Sequence, residues 1–67
     1  MKPISIYIVD DHRTMRTLFR AMLRGDDELV VVGDSGDAEQ GIEQIKELNP
    51  DILLVDQNLT GSSGLDN

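Results

Sequence analysis

Apolar residues follow two rhythms along this chain, and the rhythm changes from one to the other between successive segments. Ile4-Ser5-Ile6-Tyr7-Ile8-Val9 is a short apolar run of the kind that forms a buried strand. From Arg13 to Arg24, the residues Met15, Leu18, Phe19, Met22 and Leu23 recur at helical spacing, while Arg13, Arg16, Arg20 and Arg24 stand elsewhere on the wheel. That predicts an amphipathic helix with an apolar core stripe and a solvated arginine face paired with acids. Gly25 is its expected stop, Asp26-Asp27-Glu28 an acidic turn, and Leu29-Val30-Val31-Val32, ending at Gly33, a second strand. Asp37 followed by Gln40 fits an N-cap and its reciprocal partner, opening a second helix with Ala38, Ile42, Ile45 and Leu48 as its buried stripe. Pro50 cannot continue that helix and biases Asn49 away from helical dihedrals, so a third strand is expected from Asp51 to Val55. Residues 57–67, with Gly61-Ser62-Ser63-Gly64, read as loop.

The order β-α-β-α-β predicts an α/β fold around a parallel sheet. Right-handed crossovers leave two arrangements. In the order 2-1-3 one helix covers each face and a switch point opens between the first and third strands, where such sheets bind ligands. In the order 1-2-3 both helices share a face and a whole strand separates the ends of strands one and three. The first is preferred because of what stands at those ends: Asp10-Asp11 after the first strand and Asp56 after the third. Three carboxylates meeting in one crevice require a raised pKa or a bound cation, and oxygen donors favour a hard ion of the magnesium type. His12 adjoins them, but a lone histidine in a loop reads as a surface residue and is left outside the candidate site.

Length and charge narrow the classes. Sixty-seven residues make one small domain, and a formal net charge of −7 argues against nucleic-acid or anionic-membrane binding by this segment. The absence of cysteine excludes disulfides and thiolate metal sites. The N-terminal apolar run is too short for a signal peptide or a transmembrane helix, so a cytoplasmic location is the expectation.

Specific segments then carry a resemblance. Ile8-Val9-Asp10-Asp11-His12, Arg13-Thr14-Met15-Arg16, Val31-Val32-Gly33, Asn49-Pro50-Asp51 and Leu54-Val55-Asp56-Gln57-Asn58-Leu59, with Gly61 and Gly64 beyond, resemble the receiver domain of bacterial two-component response regulators. Asp-Asp-His with Val-Val-Gly resembles the subfamily that carries a C-terminal helix-turn-helix output domain, and Thr14-Met15-Arg16 the single-domain chemotaxis regulator. The resemblance implies a flavodoxin-like sheet, of which residues 1–67 form an incomplete N-terminal half ending after the third strand. It implies that Asp56 is the phosphoacceptor, taking a phosphoryl group from a sensor histidine kinase, a phosphotransfer protein or a small donor. It also implies Mg2+ held by Asp11 and Asp56 directly, by the Asn58 main-chain carbonyl, and by Asp10 through a water. A receiver is no enzyme beyond assisting its own phosphorylation and dephosphorylation. The chemistry agrees, since a carboxylate is a nucleophile at neutral pH and phosphoryl transfer mainly needs positioning and charge neutralisation. Thr60 stands where the family usually has proline, which implies a less rigid loop, and the family's switch Ser or Thr and its Lys have no counterpart within residues 1–67.

Two other readings stand beside this one. Asp56-Gln57-Asn58-Leu59-Thr60 also resembles the first motif of haloacid-dehalogenase-type phosphatases, but Asn58 cannot be that family's general acid and Asp10-Asp11 has no use there. The half-chain is alternatively a folding or assembly fragment without signalling activity. Its third strand, apolar on both faces and followed by no further strand, predicts a homodimer or strand-swapped oligomer through that edge.

Overall fold

A computed structural model describes residues 2–56 of the chain. The elements alternate as expected: β1 (Ile4–Val9), α1 (Arg13–Arg24), β2 (Leu29–Ser35), α2 (Ala38–Leu48) and β3 (Ile52–Val55). The sheet has the order β2-β1-β3, and both pairings are parallel. This is the 2-1-3 arrangement of a partial flavodoxin-like fold. β1 is the central strand and carries the core: Tyr7 and Ile8 are wholly buried, with Ile6 and Val9 nearly so. Alternation along β1 sends successive side chains to opposite faces. Tyr7 and Val9 pack with Ile45 of α2, whereas Ile8 shares a groove with Met15 and Phe19 of α1.

β2 runs two residues past its expected end at Gly33. The reason is a register shift: Ile6 pairs with Val31, but Tyr7 already pairs with Gly33, so Val32 is the extra residue of a bulge. After the bulge Asp34 and Ser35 stay in the ladder opposite Ile8 and Val9. Gly33 is needed for packing here, since a Cβ would sit 2.8 Å from the Tyr7 ring.

The helix ends fall where the sequence places them. Asp37 caps α2 by accepting from the Glu39 N–H at 2.8 Å, and Asn49 closes it in the left-handed conformation at φ 49°, its N–H donating to the Ile45 carbonyl. Gly25 does stop α1, but with right-handed dihedrals, so its freedom at positive φ is not what ends the helix.

The buried faces differ from expectation. On α2, Ile45 packs on the core as expected, but Ala38, Ile42 and Leu48 are exposed, and the fully buried position is Gly41. A Cβ there would lie 2.5 Å from Ser35 Oγ and 3.4 Å from the Tyr7 ring, so the helix approaches the sheet through its smallest residue. The Tyr7 hydroxyl passes beside it to donate to Gln44 Oε1 at 2.7 Å. On α1 no residue is fully buried: Met15, Phe19 and Leu23 are half-buried, and Met22 is 65% exposed. The apolar stripe of α1 is wider than the sheet surface that the described residues offer it.

At the opposite end from the acids, Asp51 fastens the start of β3 to β1. Its Oδ2 accepts from the Ser5 N–H and hydroxyl at 2.9 and 3.1 Å, and these bonds, chiefly the first, hold its carboxyl below the ordinary carboxylate range.

Candidate functional site

The sheet's last rungs build the site. The Asp10 N–H donates to the Ser35 carbonyl and the Asp56 N–H to the Val9 carbonyl, each at 3.0 Å. Parallel strands with this register must end side by side, so Asp10 and Asp56 stand at one crevice on neighbouring strands, with Asp11 next in the chain. The structure thus brings together three of the four residues expected to form the site. The fourth, Asn58, lies outside the described residues, as does Thr60.

A residue left out of the expected site joins them. His12 Nδ1 lies 2.9 Å from Asp11 Oδ1, 3.1 Å from Asp10 Oδ1 and 3.7 Å from Asp56 Oδ2. His12 is indeed a surface residue, its side chain 63% exposed, yet its ring turns onto the acids. One atom from each of Asp10, Asp11, His12 and Asp56 falls within a 4.8 Å cluster. The signal that could have found it was adjacency: His12 directly follows the two acids at the strand end and stands as the N-cap of α1.

Of the two reliefs expected for the acids, a raised pKa or a bound cation, the first is not found at Asp10. Burial raises the Asp10 carboxyl, but the His12 N–H at 2.9 Å, the ring bond, the imidazolium charge and a bond from Asp56 outweigh it, and the pKa ends below the ordinary value. His12 moves the other way. Its bond to Asp10 first, then the charges of Asp11, Asp10 and Asp56, raise it above the usual histidine value against a smaller desolvation effect. His12 thus adds a basic ring to the acid cluster, and the Asp10 carboxyl ends on the acidic side of its ordinary value.

The arginines of α1 also depart from a plain solvated face. Arg16 and Arg20 reach back to β2, where Arg16 Nε donates to Asp34 Oδ1 at 3.1 Å and Arg20 Nε to Asp34 Oδ2 at 2.6 Å. They are paired with an acid, as expected, but Arg16 is largely covered and also donates to the Asp10 main-chain carbonyl.

An open groove of about 280 Å³ runs from the cluster between α1 and β3, lined by Ile8, Met15, Phe19 and Leu54 and ending at Asp10 and Asp56. Chemically, the arrangement offers clustered carboxylate oxygens suited to a hard divalent cation, with one carboxylate on each of two adjacent strand ends. Among the described residues, no helix is long and apolar enough to cross a membrane.

A parallel sheet ordered 2-1-3 with acids at the β1 and β3 ends is the arrangement that the receiver resemblance implies, and the family comparison agrees. Residues 6–67 match the response regulator receiver domain, and the chain belongs to that family. Among similar proteins, protein-glutamate methylesterase/protein-glutamine glutaminase 1 of Rhizobium johnstonii is 45% identical over 64 residues, which is 96% of this chain and 18% of the relative. The nitrate/nitrite response regulator protein NarL of Escherichia coli is 37% identical over 65 residues, 97% of this chain and 30% of the relative. A second methylesterase/glutaminase, from Caulobacter vibrioides, is 39% identical over 66 residues and is covered to 19%. The chain thus spans less than a third of the length of these relatives. Family membership bears out the receiver resemblance over the haloacid-dehalogenase one.

Proposed function

We propose that this chain is a phosphoacceptor of two-component signalling, with Asp56 as the nucleophile and Asp10, Asp11, Asp56 and Asn58 as the magnesium-binding set. The observation that carries the reading is the convergence of Asp10, Asp11 and Asp56 at the switch point of a receiver sheet. Ionised carboxylates offer oxygen lone pairs suited to a hard cation, and Mg2+ held by these residues would supply charge neutralisation for an incoming phosphoryl group. The Asp56 carboxylate attacks phosphorus in line, the bond from phosphorus to the donor breaks, and the donor leaves with the electron pair while an acyl phosphate forms. The donor is the phosphohistidine of a sensor kinase or phosphotransfer protein, or a small phosphoramidate. The methylesterase/glutaminase activity and the nitrate/nitrite response in the relatives' names belong to those proteins, of which this chain covers less than a third. Self-association through β3 belongs to the same reading, because all four residues of that strand are exposed.

Mass spectrometry after treatment with phosphoramidate and magnesium tests the assignment. A single phosphoryl adduct is expected in the wild type and none in Asp56→Asn. Equal adduct in the two proteins refutes Asp56 as the acceptor, and adduct formation indifferent to magnesium and to Asp11→Ala refutes the metal set.

A further inference from the structure

The Arg16 guanidinium stands where three segments meet behind the acid cluster. Its Nε donates to Asp34 Oδ1 at the end of β2, and its Nη1 to the Asp10 carbonyl at the end of β1. The backbone N–H of the same residue closes the first turn of α1 on the His12 carbonyl at 3.1 Å. One residue therefore grips the Asp10-Asp11-His12 loop at both ends. The anchor itself is fixed, since Asp34 is held from the other side by Arg20. Gly36 completes the cradle: a Cβ there would sit 2.9 Å from Arg16 Nη1 and 3.6 Å from the Asp10 carbonyl oxygen. A planar fork can serve two acceptors at a fixed angle, which an ammonium on a flexible stem does not reproduce.

We propose that Arg16 is a positioning residue of the acid site, fixing the Asp10 peptide so that the Asp10 and Asp11 carboxylates meet Asp56 in one arrangement, with Gly36 leaving room for its guanidinium. The inference rests on the metal and phosphoacceptor reading of those acids. Arg16 acts through the Asp10 main chain and Asp34, and its effect falls on how well the carboxylates are pre-arranged for a cation.

The rate of Asp56 phosphorylation by phosphoramidate is measured across a magnesium series in the full chain, as wild type, Arg16→Lys, Gly36→Ala and Asp11→Ala, with thermal unfolding recorded for each. Gly36→Ala is the discriminating variant, because its methyl group displaces only the far end of a flexible side chain and keeps the charge. The magnesium midpoint is expected to rise about tenfold in Arg16→Lys and Gly36→Ala, the scale seen for groups that orient metal ligands, with the maximal rate recovered at saturating magnesium. A merely structural role would lower the folded fraction, and so the maximal rate, leaving the midpoint in place. Wild-type midpoints in Gly36→Ala and in any folded Arg16→Lys, alongside a lost magnesium response in Asp11→Ala, overturn the Arg16 assignment alone. A wild-type response in Asp11→Ala overturns the metal reading and this inference with it.

Discussion

At the scale of single residues, His12 has the most to say about how three acids coexist. The pair it forms with Asp10 is worth most when both groups are charged. Asp10 is depressed below its unfolded value, so its contribution is present above about pH 4 and is lost as pH falls through the depressed folded value. His12 is raised, so its contribution is complete below about pH 6.5 and is lost as pH climbs through the raised folded value. The stability difference between wild type and His12→Ala is therefore expected to be widest between those limits and to close on both sides. A two-dimensional NMR titration of the ring checks the cause: His12 should titrate above the ordinary histidine value in the wild type and fall back toward it in Asp10→Asn. An unchanged His12 titration in that variant would show that the Asp10 bond is not the dominant influence.

At the scale of elements, the seat of α2 turns on one pair of small residues. Replacing a helical glycine by alanine ordinarily stabilises a helix by about 1 kcal/mol. At Gly41 the new methyl meets Ser35 Oγ, which is itself donating to the Asp37 carbonyl at 3.1 Å beside the helix cap. Gly41→Ala is expected to destabilise the chain by about 1–3 kcal/mol, the range for overpacking, and Ser35→Ala combined with it to recover much of the loss. Urea unfolding of the two single variants and the double variant measures the coupling; additive effects would remove the contact from the explanation. This pair also marks where sequence reading stops. Strand and helix periods, the Asp37 cap and the Asn49-Pro50 stop depend on neighbours in the chain and were legible. The face of α2 was legible only at Ile45, because an apolar stripe through Ala38 and Ile42 is a statement about composition, whereas the approach through Gly41 is set by Tyr7 and Ser35 on other strands. Likewise Asp10, Asp11 and Asp56 announced the site by their places at strand ends. Arg16 and Asp34 did not, since their contact depends on the bulge at Val32 that carries β2 beyond Gly33.

At the scale of the molecule, the apolar surface is distributed unevenly. Ile52, Leu53, Leu54 and Val55 are between 36% and 48% exposed, although an interior strand of a parallel sheet would bury both faces. Met22 and Leu18 add to the same tendency on α1. Among the described residues β3 pairs with β1 alone, so its outer side offers backbone groups as well as side chains. Two copies related by a two-fold axis through that side would join their β3 strands antiparallel into one six-stranded sheet, with the Asp56 sites at opposite ends of the joint. Gel filtration with light scattering over a concentration series is expected to show twice the monomer mass, and replacing Leu53 by Lys on the strand is expected to shift the chain to monomer. A wild-type monomer at high concentration would mean that the edge is covered within one chain.

The two rungs that end the sheet, Asp10 to Ser35 and Val9 to Asp56, have a consequence for how the chain breathes. Asp10 and Asp56 hang on the central ladder, with Asp11 next to them in the chain, so their arrangement loosens when that ladder frays. An ion gripped by them would then act as a clasp on the fold: occupancy would slow amide exchange along Ile8, Val9 and Asp10, and every event that loosens β1 would release the ion. Signal and stability would be two readings of one cooperative unit.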